Sequence, residues 1–593
     1  MFPGKMPLVT LIANLFVRLP LWLLRCTFFR LRPVRVRWIH VRLDRPVEPF
    51  ATRGTGLVER LRRRRPGLSL AQLTRLAKHA TKDAGVSGLV VHLARFPGDW
   101  AMAGAVRRVL ESLRKADRRV VVFLPEGAGD RELYVASAAS QVVISPRASV
   151  SLVGLAAGGM YFGELLTNLG LDAQVVAEGD YKTAGERLAQ GEMSTHEREQ
   201  LVALLGARQR LLEQALTQPR ERGAIGAVPA ERADALFERV FFSATDAVAA
   251  GLIDQVCYED GLPAVLGEGD EAHSEQATRC WDARRYLGMA EISPWRPVRP
   301  RPYLALVPIR GVIRRSPDWN RGGLLRPSTS LAGAIGALRR VRKDKRAVGV
   351  LLYVDSPGGS ALVSDLIHRE VEMLARDKPL VAFFGSVAAS GGYYVAAPAR
   401  HIVAAPEAIT GSIGVITVKV AVERLLDRLR IGNHVVATAP HADMFSFART
   451  FSEKERELVA THTRTVYDGF LDVVAEGRGQ TREEVEAVAG GRVWSAQEAL
   501  ERDLVDELGD LELALERLRA AIDLPVHVQA RLRPRVAWPV DKAPPSPPPQ
   551  AARACAAELL STLSLGSEGA LLNAAVSDGD PVLCLSLPAL RFA

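Results

Sequence analysis

The feature that most constrains this chain is an internal repeat, in which one half matches the other at a spacing of about 260 residues. Gly88-Leu-Val-Val-His-Leu matches Gly349-Val-Leu-Leu-Tyr-Val, and Tyr134-Val-Ala-Ser matches Tyr394-Val-Ala-Ala. The same order continues through further matched pairs: Pro146 with Pro406, Gly154 with Gly414, Val175 with Val435, and Leu252 with Leu504. A repeat of this length is the size of a domain. The chain is therefore expected to hold two tandem domains of similar fold.

The second copy shows which fold this is. Its apolar runs Val350–Val354, Leu380–Phe384 and His401–Ala404 each end in small or turn-forming residues. Short runs of this kind, alternating with helical patterns, indicate βαβ units and a parallel sheet. Glycine clusters follow the first two runs, where the backbone must approach another group closely or adopt a positive φ. The sequence predicts an α/β fold in both copies.

Length and composition limit the classes of partner. The chain has 593 residues, 48% hydrophobic and 24% charged, which is ordinary for globular domains and excludes global disorder. The net charge of +10 permits attraction to anionic membrane surfaces or nucleic acid, but no nucleic-acid motif accompanies it, so no nucleic-acid partner is predicted. The five cysteines are scattered without metal-ligand spacing: Cys26, Cys257, Cys280, Cys555 and Cys584. Neither a disulfide framework nor a metal site is indicated.

The N-terminal segment, residues 1–35, is apolar and basic. Leu8–Phe29 is mostly apolar but is interrupted by Arg18, Pro20 and Arg25, whereas a spanning helix needs about 20 apolar residues. The basic run Arg30–Arg37 favours anionic head groups. We interpret the segment as a membrane-surface or weakly hydrophobic membrane anchor. A cleaved signal peptide and a soluble amphipathic helix docked on the body are the alternatives.

The rest of the chain divides at changes in composition. The first copy is expected to span residues 36–257 and the second copy residues 301–528. Residues 258–300, rich in Gly, Glu, Pro and Arg, are predicted to be a linker. Residues 529–593 form a Pro-rich linker and a tail that match neither copy.

Three glycine-containing motifs in the second copy carry the chemistry. They are Asp355-Ser-Pro-Gly-Gly359, Ala388-Ala-Ser-Gly-Gly-Tyr-Tyr394 and Thr410-Gly-Ser-Ile-Gly-Val415. Ser390 lies between a strand and a helix, where outward-pointing N–H groups can stabilise an oxyanion. Each motif alone could be a helix cap or a turn. Together and in this order they resemble the serine peptidases of the signal peptide peptidase A (protease IV) family, whose crotonase-like fold is shared with the Clp protease subunits. The resemblance covers roughly residues 36 to 528.

The two copies differ at the expected nucleophile. Ser390 aligns with Asp130, so the first copy has no serine at this position. A serine hydroxyl is a weak nucleophile and needs an adjacent base, which can be a lysine whose pKa is lowered by burial.

The resemblance implies where that base lies. In the two-copy members of the family the general base is the lysine of a Tyr-Lys-Ser/Thr-Ala motif in the first domain, and this chain has Tyr181-Lys182-Thr183-Ala184. Lys182 aligns with Ala442, so the second copy has no lysine there. One copy thus holds the lysine and the other the serine, which favours a Ser390–Lys182 dyad.

The resemblance also implies the remaining site residues. Ser412 matches the serine that hydrogen-bonds and orients the lysine. The backbone N–H groups of Gly359 and Gly391, with Gly358 as a further candidate, are expected to form the oxyanion hole and contact the substrate. No metal or cofactor is required.

The sequence therefore predicts two tandem crotonase- and Clp-like α/β domains that form a serine endopeptidase. By resemblance its substrates are signal peptides and other hydrophobic peptides, and it forms a homo-oligomer, a tetramer, at the bacterial inner membrane with its domains on the extracytoplasmic side. Two alternatives stay open: an acyl-CoA enzyme of the crotonase fold and a catalytically inactive binding or scaffold paralogue. The first would not need Ser390 and Lys182 to be complementary, and the intact Ser390, Lys182 and Ser412 argue against the second.

Overall fold

The computed structural model describes residues 14–20, 22–23, 38–50, 67–217, 233–267, 280–291, 302–315, 328–522, 531–534 and 582–585. Most of the N-terminal segment, including the basic run Arg30–Arg37, lies outside the described residues, as do 268–279 and 292–300 of the predicted linker. Within the described ranges, no helix combines the length and the apolar character needed to cross a bilayer.

The strands, in chain order, are β1 (Trp38–Arg42), β2 (Gly88–His92), β3 (Arg119–Leu124), β4 (Gln141–Ile144), β5 (Ser149–Ser151), β6 (Asp172–Glu178), β7 (Phe241–Ser243), β8 (Gln255–Val256), β9 (Cys280–Asp282), β10 (Tyr303–Arg310), β11 (Val312–Arg314), β12 (Ser328–Ser330), β13 (Ala347–Ser356), β14 (Gly358–Ser360), β15 (Leu380–Ala389), β16 (His401–Ala404), β17 (Ile409–Gly411), β18 (Val415–Ala421), β19 (Val493–Ser495), β20 (Glu507–Leu508), β21 (Arg531–Pro534) and β22 (Val582–Leu585).

The α-helices, in chain order, are α1 (Leu70–Lys82), α2 (Trp100–Lys115), α3 (Asp130–Ala136), α4 (Gly163–Leu169), α5 (Glu186–Ala189), α6 (Thr195–Thr217), α7 (Ala233–Arg239), α8 (Ala244–Ala249), α9 (Leu262–Val265), α10 (Ala283–Ala290), α11 (Leu331–Lys343), α12 (Ala361–Asp377), α13 (Gly391–Ala396), α14 (Glu423–Arg428), α15 (Glu453–Arg478), α16 (Arg482–Val488), α17 (Ala496–Leu500) and α18 (Leu511–Ala520). A π-helical turn covers Asn14–Arg18, and 3₁₀ turns cover Thr183–Gly185 and Glu259–Gly261.

Side-chain caps fix where the longer helices begin. Ser69 precedes α1, Asp99 precedes α2, Ser330 precedes α11, Ser360 precedes α12 and Ser452 precedes α15. In each case the side-chain oxygen accepts a hydrogen bond from a backbone N–H of the first turn, which has no partner within the helix. The helices therefore start at positions that the sequence itself specifies.

The chain divides into two compact units, one made of Met1–Gly154 and Arg208–Arg301 and the other of Leu155–Ala207 and Pro302–Ala593. The first unit is built on a six-stranded sheet with the order β8-β4-β3-β2-β1-β9, in which every neighbouring pair is parallel. Its central strands are almost wholly buried, as expected where helices cover both faces of a parallel sheet.

The second unit contains two sheets. The larger sheet has the order β19-β17-β15-β13-β10-β21, with β16 beside β15 and β20 beside β16. Its central strands β10, β13 and β15 are parallel and buried. The other sheet has the order β12-β11-β14-β22-β18-β6. It joins β6, from the first copy of the repeat, to β18, from the second copy, in an antiparallel pair.

The α/β class and the parallel sheets predicted from the sequence are confirmed. The compact units do not follow the predicted domain boundaries: residues 155–207, which the repeat assigns to the first copy, belong to the second unit, and residues 258–300 belong to the first. The predicted linker 258–300 also contains structure, because α9, β9 and α10 lie within it and β9 extends the sheet beside β1. A three-residue strand is too short to stand out from a Gly- and Pro-rich composition.

Candidate active site

Ser390 lies at a sharp junction between strand and helix. Strand β15 ends at Ala389 and helix α13 begins at Gly391, so Ser390 is the residue that turns the chain. Its backbone has φ +55° and ψ −122°, a conformation that non-glycine residues rarely adopt. Its N–H donates to the carbonyl of Gly411 at 2.8 Å, which helps to hold this geometry. A strained backbone of this kind is a feature of functional sites.

Lys182 contacts Ser390 directly. Its Nζ donates hydrogen bonds to Ser390 Oγ at 2.9 Å, to Ser412 Oγ at 3.0 Å and to the Ser412 carbonyl at 2.8 Å. All three residues are buried, Lys182 with only 3% of its surface exposed. The Lys182 amino group is therefore held by these oxygen atoms in the interior of the second unit.

Ser412 lies in the turn between β17 and β18. Like Ser390 it has a positive φ, +53°, which directs its side chain away from the course of a normal strand. Its N–H donates to the carbonyl of Arg492 at 2.6 Å. The turn thus presents both a hydroxyl and a carbonyl oxygen to the lysine.

The pairing of β6 with β18 brings these residues together. Val415 pairs with Glu178, and the ladder continues to Ala421 opposite Asp172. Lys182 follows the end of β6 and Ser412 precedes the start of β18. Because antiparallel strands place the end of one beside the start of the other, both residues lie at the same end of the ladder.

The glycine loop after β13 lies beside the serine. Gly358 donates its N–H to Ser356 Oγ at 3.1 Å, so that N–H group is engaged within the loop. A Cβ on Gly391 would lie 3.4 Å from the nitrogen of Gly359, which shows how closely these two backbones approach. A Cβ on Gly359 itself would lie 2.0 Å from the carbonyl oxygen of Ile313. The three predicted glycines therefore lie together, and the roles of their N–H groups stay a prediction.

A segment that was not predicted from the sequence, Gly490–Val493, contacts both the lysine loop and the serine turn. Toward the lysine, the Gly490 carbonyl accepts the N–H of Tyr181 at 2.9 Å. Toward the serine turn, Gly491 donates to the Ile413 carbonyl at 2.8 Å, beside the Ser412 bond to Arg492. A Cβ on Gly491 would lie 2.5 Å from the nitrogen of Lys182, so only glycine fits there. The first copy has Arg239 at the aligned position, a difference that could have drawn attention to this glycine.

Gln200, on α6, is the second residue that was missed. Its side chain is fully buried, and its Nε2 donates to the Tyr181 carbonyl at 3.3 Å and to Thr183 Oγ1 at 3.1 Å. Its Oε1 accepts the N–H of Val493 at 3.2 Å. One amide thus ties the residues on both sides of Lys182 to β19. A lone glutamine in a helix carries no signal in the sequence for such a role.

On the outer face of the same segment, an arginine packs between two aromatic rings and forms an ion pair. The Arg492 guanidinium lies 4.7 Å from the Tyr181 ring centroid and 4.5 Å from that of Trp494. It also pairs with Glu199 at 2.9 Å, and Glu199 accepts the Tyr181 hydroxyl at 2.8 Å. The hydrogen bond from Tyr181, with Arg492 close by, lowers the pKa of the Glu199 carboxyl. These contacts add a further connection between the lysine loop and the serine turn.

Other titratable groups of the second unit have partners of their own. Burial, with Arg449 nearby, lowers the pKa of Lys419 to about 8, and its Nζ lies 4.1 Å from the Phe451 ring centroid. His368 packs edge-on against Tyr394, and His401 lies 3.4 Å from Glu507. Among the described residues, no group of three or more His, Cys, Asp or Glu side chains is arranged to hold a metal ion.

The chain is similar to known peptidases. A model of peptidase family S49 matches residues 112–272 and 372–524, one stretch largely within each copy of the repeat. The chain is similar to the chloroplastic serine protease SPPA of Arabidopsis thaliana, with 28% identity over 79% of this chain and 68% of the relative. It is also similar to Protease 4 of Salmonella typhi, with 28% identity over 76% of this chain and 71% of the relative, and to Protease 4 of Haemophilus influenzae, with 24% identity over 75% and 72%. Because the family model covers more than half of the chain, the protein belongs to peptidase family S49 and is a serine peptidase.

Proposed function

We propose that this serine peptidase is an endopeptidase that uses a Ser390–Lys182 dyad to degrade signal peptides and other hydrophobic peptides. The observation that carries the proposal is the 2.9 Å hydrogen bond between Lys182 Nζ and Ser390 Oγ inside a buried site. The substrate class comes from the family resemblance of the three glycine-containing motifs.

In the proposed mechanism Ser390 Oγ attacks the carbonyl carbon of the scissile peptide bond. Neutral Lys182 Nζ takes the serine proton and passes it to the leaving amine as the C–N bond breaks. Water then hydrolyses the acyl-enzyme ester by the same route in reverse. The N–H groups of Gly359 and Gly391 are the proposed donors to the oxyanion.

The surroundings of Lys182 suit the role of a base. Burial penalises the charged form of a lysine and thereby favours the neutral amine that a base requires. Ser412 would orient the lysine through its hydroxyl and its carbonyl oxygen. Neither an acyl-CoA enzyme nor an inactive scaffold would need a buried lysine directed at a strained serine.

We also propose the membrane association and the oligomer that the sequence predicts, at the inner membrane with the domains on the extracytoplasmic side. In the described part of the N-terminal segment, Leu15, Phe16 and Val17 are exposed, as an interfacial anchor requires. In the second unit four apolar side chains close in sequence are exposed, which supports contact with another copy: Leu429, Ile431, Val435 and Val436. Measuring the mass of the detergent-solubilised protein tests the tetramer, and a monomer would contradict it.

A serine-directed acylating probe tests the dyad. The wild-type protein should be labelled once and should hydrolyse a hydrophobic peptide ester, whereas Ser390→Ala should do neither and should keep its thermal midpoint. Ser386→Ala, four residues earlier in the same strand, is the control and should behave as wild type. Labelling that persists in Ser390→Ala, or hydrolysis by that variant at a substantial rate, would remove Ser390 as the nucleophile.

A further inference from the structure

Ser356, the last residue of β13, is a fully buried serine that the proposed mechanism does not use. Its hydroxyl donates to the carbonyl of Gly311 at 2.6 Å and accepts the N–H of Gly358 at 3.1 Å. The single proton of the hydroxyl and one of its lone pairs are therefore committed to backbone groups. One small side chain thus connects the turn between β10 and β11 to the start of β14.

The backbone of Ser356 lies against the strand–helix junction that carries the nucleophile. It pairs with Ala388 of β15, two residues before Ser390. On the helix side, a Cβ on Gly392 would lie 2.6 Å from the Ser356 carbonyl oxygen and 3.2 Å from its Cβ. The strand that leads to Ser390 and the first turn of α13 thus both contact Ser356. Its backbone is fixed to the nucleophile's side of the site, while its hydroxyl is bonded to the glycine loop.

The glycine loop needs such a hydrogen bond. Gly358 has φ +102° and Gly359 has φ +156°, conformations that side-chain-bearing residues rarely adopt. Glycine itself prefers neither sign of φ, so a peptide unit beside it rotates easily unless a hydrogen bond holds it. The bond from the Gly358 N–H to Ser356 Oγ fixes the peptide unit between Pro357 and Gly358. The orientation of the next N–H, that of Gly359, follows from it.

The internal repeat shows that this serine is not a general requirement of the fold. Ser356 aligns with Arg95 in the first copy, at the spacing of 261 residues that also relates Gly349 to Gly88. The first copy has Asp130 in place of the nucleophile. The buried hydroxyl is thus present in the copy that has the nucleophile and absent from the copy that lacks it.

We propose that Ser356 is a positioning residue for the oxyanion hole, whose hydroxyl holds the glycine loop so that the Gly359 N–H points at the oxygen of the tetrahedral intermediate. This inference rests on the proposed function, because it assigns a role in the same reaction. Ser356 does not touch the substrate and acts only through the loop. It should therefore affect the transition state, in which that oxygen carries charge, more than it affects the binding of substrate.

The Ser356→Ala variant of the full-length chain tests the proposal. Removing an oxyanion donor outright lowers kcat about 100- to 1,000-fold, whereas this variant keeps the donor and frees only the loop. We therefore expect kcat for a hydrophobic peptide ester to fall about 10- to 100-fold, with KM within about twofold of wild type. Ser330→Ala is the matched control, because the Ser330 hydroxyl also accepts a backbone N–H, that of Gly333 at 3.3 Å. The control should keep the wild-type kcat.

A pair of inhibitors separates positioning from a loss of stability. With a hydrophobic peptide aldehyde, Ser390 Oγ adds to the carbonyl carbon, the serine proton passes to Lys182, and the aldehyde oxygen becomes the oxyanion. The matching peptide alcohol has no carbonyl group and forms no such adduct. In Ser356→Ala the Ki of the aldehyde should rise about 10- to 100-fold while the Ki of the alcohol stays unchanged. If kcat and the aldehyde Ki match wild type, or if both inhibitors weaken equally, the proposal is wrong.

Hydrogen exchange tests the contact with the loop without any need for activity. In a Ser390→Ala background, the Gly358 amide should exchange faster when Ser356 is replaced by alanine, and it should not respond to Ser330→Ala. Unchanged exchange at Gly358 would contradict the proposal. If the wild-type protein shows no Ser390-dependent hydrolysis, the proposed function fails, while faster exchange at Gly358 would still support the hold of Ser356 on the loop.

Discussion

Lys182 Nζ lies 2.9 Å from Ser390 Oγ, although the two residues are 208 positions apart in the chain. Each comes from a different copy of the repeat, and each copy lacks the partner residue: Asp130 aligns with Ser390 and Ala442 aligns with Lys182. The antiparallel pairing of β6 with β18 brings them together within the second compact unit. After duplication, a single site can thus retain one group from each copy.

Gln200 should be a positioning residue for Lys182. Gln200→Leu keeps the size of the side chain but leaves the Val493 N–H and the Tyr181 carbonyl without this partner. Unpaired buried groups cost about 1–3 kcal/mol each, so the lysine loop should shift. Because small misplacements of reacting groups lower rates about 100-fold, we expect kcat on a peptide ester to fall 10- to 100-fold with little change in KM.

Gln209→Leu, on the same helix, serves as the control for Gln200→Leu and should keep normal kcat. The pH profile separates positioning from a general loss of stability, since a displaced lysine should shift the acid limb of kcat/KM. A variant with a lower thermal midpoint but unchanged kcat and pH profile would show that Gln200 is only structural.

Position 491 should not tolerate a side chain, whereas a side chain at the neighbouring Gly490 should be tolerated. A Cβ on Gly491 would lie 2.5 Å from the backbone nitrogen of Lys182, while a Cβ on Gly490 would meet nothing within 4 Å. Both glycines have a positive φ, +79° and +61°, so both alanine variants share the backbone strain. We expect Gly491→Ala to lower kcat at least tenfold more than Gly490→Ala. Equal rates for the two purified variants would show that the contact with Lys182 does not matter.

Asp130 should make stability depend on pH. It is buried in the first unit, its Oδ1 has no hydrogen-bond partner, and desolvation raises its pKa from 3.8 to about 6. The folded state therefore binds the carboxyl proton of Asp130 more tightly than the unfolded state does. The contribution of this protonated carboxyl to the free energy of unfolding is fully present below pH 3.8 and is lost as the pH rises through about 6.

Asp130→Asn removes this titration and should stabilise the protein by about 1–2 kcal/mol at pH 8, after allowance for partial solvation. That corresponds to a rise of roughly 2–6 °C in the thermal midpoint. The difference from wild type should shrink as the pH falls toward 4, with Asp117→Asn as an exposed control. A difference independent of pH would mean that Asp130 is not the group responsible.

The sequence predicted the α/β class, the duplication and the family, because apolar runs, matched positions and glycine motifs are local patterns that the fold preserves. It also named Ser390, Lys182 and Ser412, which the structure brings into contact. Their catalytic roles, and the oligomer and membrane association, stay predictions.

The features that the sequence did not predict depend on contacts between residues that are far apart in the chain. Gln200 acts through hydrogen bonds to backbone groups, which any sequence supplies, so its partners leave no pattern. Strand β22 pairs by backbone alone with β14 and β18, and nothing in Val582–Leu585 specifies that register. The assignment of residues 155–207 to the second unit likewise follows from the β6–β18 pairing, which the repeat cannot reveal.

The rate of Lys182→Arg tests the central claim most directly. Arginine keeps the positive charge but does not lose its proton at accessible pH, so it cannot act as a base. General-base catalysis contributes about 100- to 10,000-fold, so kcat/KM for a hydrophobic peptide ester should fall by that factor in Lys182→Arg and in Lys182→Ala alike. Near-normal hydrolysis by a folded Lys182→Arg protein would show that the lysine acts only through its charge, and would contradict the Ser390–Lys182 dyad.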